Sequence, residues 1–383
     1  MSGQKKYSFL VDLREGVRAG LFYSVVFRIS PFKDQARVFN ISYYDSFLIV
    51  LLKKIAGVAV HNKKQSFYYN DILFSALHIK KGLLHYLLIL LGLNSFAVKI
   101  NAKNIAPKID GKVISAHWGL TAGILSSHIA KVLKIKNVIT FHGSDIHSIP
   151  EDRKNLVRAT LVAMRNSTFN IFVSNDLYQK AKKLGYSGDN FKVIYNGIPK
   201  PVKSTEEDIQ SFCNAKHIPK NKKIITFIGN FTNVKNLTVL PMVELYLQSM
   251  IEDYIFVFAG EGKLFEYLNT KMKNKIFLGH IDSCDVNKLL LKTDVLILPS
   301  LNEGLPLIIA EALALGVPPV TSDAGGIKEI LPKDFIVPLG DDFEKRFAEK
   351  IYEKLCNNIC PNLSDEFNID YMQSKERFLL ESL

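Results

Sequence analysis

The sequence has few of the residues from which metal sites and disulfide frameworks are built. It holds four cysteines among 383 residues, and their spacing matches no zinc or iron–sulfur pattern. No Asp-x-Asp occurs, and no group of His, Asp and Glu has the spacing of metal ligands, so we predict no metal site. Cysteine usage this low indicates a reduced, cytoplasmic chain, with Cys356 and Cys360 on one face of a helix.

Long apolar runs are also missing. None reaches the roughly 20 residues that a helix needs to cross a bilayer, and charges interrupt the start "MSGQKKYSFLVDLREG", so we expect no signal peptide. Two shorter apolar segments, 46–60 and 79–93, could lie in a membrane interface with lysines toward anionic head groups, or could be core helices. The lysines concerned are Lys53, Lys54, Lys80 and Lys81.

Charge is unevenly distributed along the chain. The net charge is +12, but residues 1–200 carry 29 Lys and Arg against 11 Asp and Glu, a balance of +18. Residues 201–383 carry 20 against 26, a balance of −6. This asymmetry predicts an anionic partner for the first half, either nucleic acid or an anionic membrane surface. No nucleic-acid motif or basic–aromatic platform is present, so we expect a membrane surface and no nucleic acid.

Short apolar strands alternate with helices in two runs, at 112–197 and 224–298. This alternation is typical of parallel sheets covered by helices on both faces. Residues 198–223, polar and with one short helix, are interpreted as a linker. We therefore predict an α/β protein with two facing Rossmann-like domains and an interdomain cleft. The predicted limits are 1–200 and 201–365 for the domains and 366–383 for a terminal helix.

Two acids stand out in "PSLNEGLPLIIAEALALGVPPV" (299–320). Glu303 follows the apolar strand "DVLILPS", and open α/β sheets bind ligands beyond the carboxyl ends of their strands. The next helix is predicted to begin near Leu307, where unpaired N–H groups and the helix dipole favour a phosphate. Glu311, one turn further, can accept hydrogen bonds from a vicinal diol such as a ribose. Together the two carboxylates bracket a nucleotide-sugar.

This arrangement resembles the retaining glycosyltransferases of family 4, which have the GT-B fold. The Glu-x7-Glu motif of that family fits "EGLPLIIAE", and the Gly-Gly turn after it fits "VTSDAGGIKEIL". The phosphate-contacting loop fits "FIGNFTNVKNL", the His-Gly-x-Asp segment fits "ITFHGSD", and the Asn-Gly segment fits "VIYNGI". The resemblance covers about residues 112–331. It implies an acceptor-side first domain, a second domain that binds the nucleotide-sugar, and a terminal helix that crosses back.

The resemblance also implies a role for each matching residue. Glu311 would hold the ribose, Glu303 hydroxyls of the donor sugar, and Lys235 the departing diphosphate. His142 would reach toward the donor from the first domain, on a loop that Asp145 supports. No cofactor is implied besides the donor substrate, and transfer would occur at the front face without a covalent intermediate. The other donor-binding residues implied are Gly229, Asn230, Gly304, Leu305, Pro306, Leu307 and Ile308.

The acceptor side is the part of the chain that matches the family least. The segment "REGVRAG" could form an acceptor-side glycine loop through Gly16 and Gly20, or merely a turn. His117, at the end of a strand, either lines the cleft or is a structural histidine, and Asp145 is also assigned to the acceptor side. Assignments on this side are therefore the least constrained by sequence.

Three function classes follow. The first is transfer of a hexose from a nucleoside-diphosphate sugar to a membrane-associated, lipid-linked saccharide. Lys outnumbers Arg 40 to 9, as in low-GC bacteria, so the expected acceptor is a lipopolysaccharide, O-antigen or capsule intermediate at the inner face of the cytoplasmic membrane. The second is a GT-B nucleotide-sugar epimerase or non-catalytic binder, which Asn230 supports because the family has Arg there. The third, a nucleic-acid binder, rests on charge alone.

Overall fold

The structure, a computed structural model, describes residues 5–13, 20–91, 94–147 and 154–383. It divides into two compact units. One consists of Met1–Tyr195 with Met372–Leu383, and the other is Asn196–Tyr371. Each unit is built on a sheet of mostly parallel strands, so the predicted α/β class is confirmed. The functional roles given to the two domains stay predictions.

The first unit is built on a sheet with the order β3-β4-β2-β1-β5-β6-β7-β8, parallel except for the edge strand β3 against β4. Its central strand β1 is buried throughout, as expected where helices cover both faces of a sheet. The strands are β1 (Tyr7–Val11), β2 (Ala36–Asp45), β3 (Phe67–Tyr69), β4 (Ile72–Lys81), β5 (Val113–His117), β6 (Lys136–Phe141), β7 (Phe169–Phe172) and β8 (Phe191–Val193). The helices are α1 (Gly20–Ile29), α2 (Phe47–Ile55), α3 (Leu83–Leu90), α4 (Asn94–Ile105), α5 (Ile124–Leu133), α6 (Ser144–His147), α7 (Lys154–Asn166) and α8 (Asn175–Lys183).

The second unit is built on an all-parallel sheet with the order β11-β10-β9-β12-β13-β14. The strands are β9 (Lys223–Ile228), β10 (Tyr254–Ala259), β11 (Lys275–Gly279), β12 (Val295–Leu298), β13 (Pro319–Ser322) and β14 (Ile336–Val337). The helices that follow α8 along the chain are α9 (Glu206–Ala215), α10 (Leu240–Leu247), α11 (Phe265–Lys271), α12 (Ser283–Lys292), α13 (Leu307–Ala314), α14 (Ile327–Ile330), α15 (Phe343–Asn357) and α16 (Ile369–Glu381).

The interpretation of residues 198–223 as a linker is wrong for the helix within them. Helix α9 begins with a capping box, in which Thr205 and Asp208 satisfy each other's backbone N–H groups. Its buried face, which includes Ile209 and Phe212, packs in one cluster with residues of β9, β10 and α12. The polar composition belongs to the exposed face of an amphipathic helix, which composition alone does not separate from a linker.

Two predicted helices are shorter than expected. The segment 234–250 becomes helical only at Leu240, because Asn236 adopts a left-handed conformation and short 3₁₀ turns precede α10. Helix α15 ends before Asn358, also left-handed, so Cys360 lies beyond the helix and does not share a face with Cys356. The sequence also predicts a helix at about 149–165, of which residues 149–153 lie outside the described part of the chain and the rest belongs to α7.

The two apolar segments of the first half are not core helices. Segment 79–93 begins as the end of β4 and turns into α3, while segment 46–60 contains α2. Most of the large apolar side chains on both helices are exposed, and Ile49 and Leu88 are their buried members. None of the described helices is long and apolar enough to cross a membrane.

A buried ion pair fixes the terminal helix within the first unit. Arg28 on α1 donates a hydrogen bond of 2.6 Å to the Glu376 carboxylate on α16, and both side chains are buried. The same guanidinium donates to the carbonyl oxygens of Ile194 and Tyr195, just after β8. One charged group therefore joins α1, the end of the sheet and α16.

We expect Glu376→Ala to lower the free energy of unfolding by about 3–5 kcal/mol, because it leaves the buried Arg28 charge without its counter-ion. Urea denaturation followed by circular dichroism would measure this. Glu381→Ala, at an exposed position on the same helix, is the matched control and should cost little. A loss below about 1 kcal/mol for Glu376→Ala would show that the pair does not hold α16 in place.

Candidate functional site

Two loops of the second unit bring Lys235 and Glu303 together at the carboxyl edge of the sheet. Lys235 ends a short 3₁₀ turn after β9, and Glu303 lies in the loop after the neighbouring strand β12. The Lys235 Nζ lies 2.6 Å from Glu303 Oε1, and the Ser300 hydroxyl donates to the same oxygen at 2.7 Å. A backbone hydrogen bond from Leu301 to Val234 also ties the loops. Two of the three residues predicted to be catalytic therefore form one pair, and the third is His142 in the first unit.

Two glycines allow close backbone contacts beside these loops, one with Glu303 and one with Gly229. Gly325, with φ +54°, lies so close that an added Cβ would meet the Glu303 carbonyl oxygen at 1.9 Å. Gly260, with φ +135°, would place a Cβ 2.0 Å from the carbonyl oxygen of Gly229. No side chain larger than hydrogen fits at either position. The Gly-Gly turn thus shapes the Glu303 loop. The sequence does not reveal the close contact of Gly260 with the Gly229 backbone, since "AGEG" is typical of the end of a strand.

Helix α13 carries the rest of the predicted donor site. It begins at Leu307 after Pro306, with no acidic residue in its first turn, so its first N–H groups and dipole favour an anion. Leu305, Pro306 and Leu307 are buried, whereas Gly304 and Ile308 are partly exposed. Asn230, where the family has Arg, is exposed beside Gly229. Lys263, the basic residue that the sequence offers as compensation for the missing Arg, is also exposed.

Glu311 differs from Glu303 because no described protein group offsets its charge. Burial raises the pKa of the Glu311 carboxyl to about 7, and no hydrogen bond or cation acts against this shift. The side chain keeps a small solvent-exposed area on the second turn of α13. Because no donor from the described residues opposes this shift, the exposed part of the carboxylate can accept hydrogen bonds from solvent or from a ligand.

In the first unit, the structure brings His117 and His142 together at the ends of β5 and β6. The rings lie 3.1 Å apart, from Nδ1 of His117 to Nε2 of His142. Burial, with the nearby Arg28 charge, lowers the pKa of His117 to about 3, and that of His142 also lies well below its usual range. With both rings neutral, one of these two nitrogens donates a hydrogen bond to the other. Their other nitrogens, one donor and one acceptor, have no partner among the described residues.

Asp145 connects the two strand ends through backbone hydrogen bonds. Its buried carboxylate accepts from the N–H groups of Gly119 (2.9 Å), His142 (3.1 Å) and Gly143 (2.9 Å). Burial raises the pKa of this carboxyl to about 6, although the same hydrogen bonds oppose the shift. The side chain therefore fixes the His142 loop. Gly20 begins α1 with open space around it, and Gly16 lies outside the described residues.

Trp118 is a residue that sequence analysis missed. It has φ +82°, which is rare for a residue with a bulky side chain, and its ring centroid lies 5.9 Å from that of His142. Such backbone strain concentrates at functional sites. A π-helical turn at Gly119–Gly123 follows it. The sequence gives no sign of the backbone angle, since "SAHWG" reads as the end of an ordinary strand.

Metal ligation is not evident in the structure. Within residues 5–13, 20–91, 94–147 and 154–383, no three His, Cys, Asp or Glu side chains are grouped so that they could hold a metal ion. The positive charge available at the candidate donor site is that of Lys235 and the N-terminus of α13.

The chain is similar to a known family through its second half. Residues 208–359 match the family model described as "Glycosyl transferases group 1". This stretch is therefore similar to the glycosyltransferase group 1 domain. It contains Lys235, Glu303 and Glu311, the three charged residues of the candidate donor site.

Two relatives that the chain resembles are named as glycosyltransferases. The chain is 28% identical over 222 residues to the putative teichuronic acid biosynthesis glycosyltransferase TuaC of Bacillus subtilis, covering 58% of this chain and 55% of that protein. It is 27% identical over 246 residues to an Escherichia coli UDP-Gal:alpha-D-GlcNAc-diphosphoundecaprenol alpha-1,3-galactosyltransferase, covering 58% and 60%. The chain thus spans somewhat over half the length of these relatives.

Solved structures share the whole fold. Anabaena Alr3699/HepE in complex with UDP-glucose aligns with a TM-score of 0.71 at 17% identity, covering 98% of this chain and 100% of that one. The lipopolysaccharide outer core galactosyltransferase WaaB aligns with a TM-score of 0.66 at 12% identity, covering 99% and 100%. The predicted GT-B fold is confirmed.

The unpaired carboxyl of Glu311 should make the ligand-free protein less stable as pH rises. Folding raises its pKa from the ordinary 4.5 to about 7, so the ionised form opposes folding increasingly across that range. We expect Glu311→Gln to stabilise the ligand-free protein near pH 8 by on the order of 1–3 kcal/mol, a few degrees in Tm, and by less near pH 5.

Thermal melts at both pH values would measure this difference. Glu349→Gln, at an exposed position on α15, is the control and should leave Tm unchanged at either pH. A Glu311→Gln variant with the same Tm as the wild type near pH 8 would mean that its carboxylate is satisfied in the ligand-free protein.

Proposed function

We propose that the protein is a retaining, metal-independent hexosyltransferase that uses a nucleoside-diphosphate sugar as donor. The observation that carries this proposal is the arrangement at one sheet edge of the second unit. A lysine–glutamate pair, the N-terminus of α13 and the unsatisfied Glu311 carboxylate follow one another there. These groups suit, in order, a sugar next to a diphosphate, the diphosphate itself and a ribose.

Donor binding would exchange the partners of Lys235. In the ligand-free protein its ammonium is neutralised by Glu303, and both side chains retain some exposure, 23% and 11%. A diphosphate at the start of α13 would offer Lys235 a stronger counter-charge, which grows as the bond to the sugar breaks. Glu303, released, would accept hydrogen bonds from hydroxyl groups of the hexose. The pair thus keeps both groups in position before the donor arrives.

Retention would follow from front-face transfer, in which the departing phosphate takes the proton of the acceptor hydroxyl. A covalent route would need a carboxylate nucleophile below the anomeric carbon. Glu303 is held by Lys235 and Ser300 and suits binding of hydroxyl groups better than attack. His142 is retained in this proposal as a catalytic residue of the first unit, and its Nδ1 is buried with no hydrogen-bond partner among the described residues.

The acceptor we propose is a lipid-linked saccharide in the synthesis of a bacterial surface polysaccharide. The names of the relatives support this class, since one transfers galactose to a diphosphoundecaprenol-linked sugar. A lipopolysaccharide, O-antigen or capsule intermediate would each fit. The enzyme would then act as a peripheral protein at the inner face of the cytoplasmic membrane.

A screen of UDP-, GDP- and ADP-sugars for a rise in melting temperature tests the donor class. We expect one nucleotide series to raise Tm, and the same compound to be hydrolysed slowly at a rate that EDTA leaves unchanged. No rise with any series would reject the nucleotide-sugar proposal. A rate that EDTA abolishes and Mg²⁺ or Mn²⁺ restores would reject metal independence. Release of an epimerised sugar in place of hydrolysis would favour the epimerase alternative.

Lys235→Ala and Glu311→Ala should fail in different ways. Removing Lys235 should reduce kcat by roughly 100-fold and change donor affinity less, because its charge matters most as the diphosphate leaves. Removing Glu311 should weaken donor binding, because the ribose is remote from the reacting carbon. Steady-state kinetics with donor titration separate the two effects. Near-normal kcat for Lys235→Ala would remove it from the catalytic residues, and unchanged donor affinity for Glu311→Ala would reject the ribose assignment.

A further inference from the structure

Helix α2 presents an apolar face to solvent. The exposed positions recur at one side of the helix, opposite the buried Ile49, and Phe47 is exposed to 86%. Soluble proteins seldom leave so many large apolar side chains exposed in one continuous group. The exposed apolar residues of this helix are Phe47, Leu48, Leu51, Leu52 and Ile55.

Helix α3, directly beside α2, also presents an apolar face to solvent. The two helices follow β2 and β4, which are adjacent and parallel, with Asp45 paired to Lys81 at their carboxyl ends. Both helices therefore lie at the edge where ligands bind in sheets of this kind. The exposed apolar residues on α3 are Leu83, Leu84, Leu87 and Leu90, the last exposed to 84%. The exposed apolar residues of α2 and α3 are called the apolar patch below.

A polar cluster beneath the patch holds the two helices together. Lys53 on α2 donates hydrogen bonds of 3.0 Å to the Asp45 carboxylate and to the Tyr86 hydroxyl on α3. Tyr86 in turn donates to Asp45 at 2.5 Å, as does the backbone N–H of His61 at 2.8 Å. The inward side of the helices thus combines the paired Lys53 and Tyr86 with the buried Ile49 and Leu88, while the outward positions are apolar.

This cluster corrects the expectation that all four lysines face head groups. Lys53 is used inside the protein, and Lys81 is half-buried with its ammonium 4.9 Å from the centre of the Tyr43 ring. Burial lowers the pKa of Lys81. Lys54 and Lys80 are exposed and remain available. In each of the two Lys-Lys pairs, one lysine therefore has contacts within the protein and the other lies at the surface.

We propose that the apolar patch is a membrane-docking surface, which inserts into the interface of a bilayer that contains anionic lipid. Helices of nine and eight residues cannot cross a bilayer but can lie in its interface with apolar side chains toward the acyl chains. Lys54 and Lys80 then face the head groups. The inference rests on the proposed function in one respect, since a lipid-linked acceptor would be presented at this membrane.

Charge favours a membrane over a second copy of the chain. Residues 1–200 carry a net charge of +18, so two such halves repel each other when they approach face to face. An anionic lipid surface attracts the same half. Attraction by charge and insertion of the patch then act in the same direction.

Co-sedimentation with phosphatidylcholine vesicles, with and without phosphatidylglycerol, tests the surface. We expect the wild type to bind only the anionic vesicles at low salt. The variant Phe47→Ser/Leu51→Ser/Leu84→Ser/Leu87→Ser should bind at least roughly tenfold more weakly. Lys54→Gln and Lys80→Gln should each weaken binding about fivefold, the equivalent of roughly 1 kcal/mol, and should reduce its salt dependence.

The matched control places serine at four exposed apolar positions of the second unit: Val202, Leu245, Leu291 and Ile359. It should bind vesicles as the wild type does. Tm and the donor-induced rise in Tm are measured for every variant, so that a failure of donor binding is seen separately from a failure of docking. A wild type that ignores anionic vesicles, or a patch variant that binds them normally, would overturn the proposal. Concentration-dependent dimers that only the patch variant loses would assign the surface to a second copy instead.

Discussion

All strands of the second sheet run in one direction, and this constraint determines where the charged residues of the second unit meet. Parallel strands must be joined by returns across the faces of the sheet, so the loops after their carboxyl ends gather at a single edge. Lys235 and Glu303 are 68 residues apart in sequence, yet they touch because β9 and β12 are neighbours. The same rule places the His117 and His142 loops together in the other unit.

The two glutamates of the motif differ in whether neighbouring groups compensate their negative charge. Glu303 has a cation and a hydroxyl donor on one oxygen, so its charge is compensated before any ligand arrives. Glu311 has neither, and burial shifts its equilibrium toward the neutral acid. Ionisation of Glu311 therefore costs folding stability, whereas Lys235 and Ser300 compensate the charge of Glu303. A ligand with paired hydroxyl groups would recover that stability on binding, which links the affinity of the site to its cost in folding.

The fold and the positions of the candidate donor residues could be predicted because both depend on local patterns. Alternating apolar strands and helices identify parallel sheets, and a residue just beyond a strand must lie at the binding edge. The pairing of Lys235 with Glu303 could not be predicted, since it depends on which strands are neighbours. The same holds for Gly260, where any side chain would collide with the carbonyl oxygen of Gly229, just after the neighbouring strand β9. Helix α2 was ambiguous because apolar periodicity does not say whether a face is covered.

The residue with the strained backbone, Trp118, is the single tryptophan of the chain, and this has a practical consequence. All of the indole emission of the protein originates beside the His142 ring, at the end of β5. Fluorescence excited at the red edge of aromatic absorption therefore describes one location in the first unit and is blind to the rest. A saccharide that settles there would change the emission without any label, and denaturation followed through this signal would describe the first unit rather than the whole molecule.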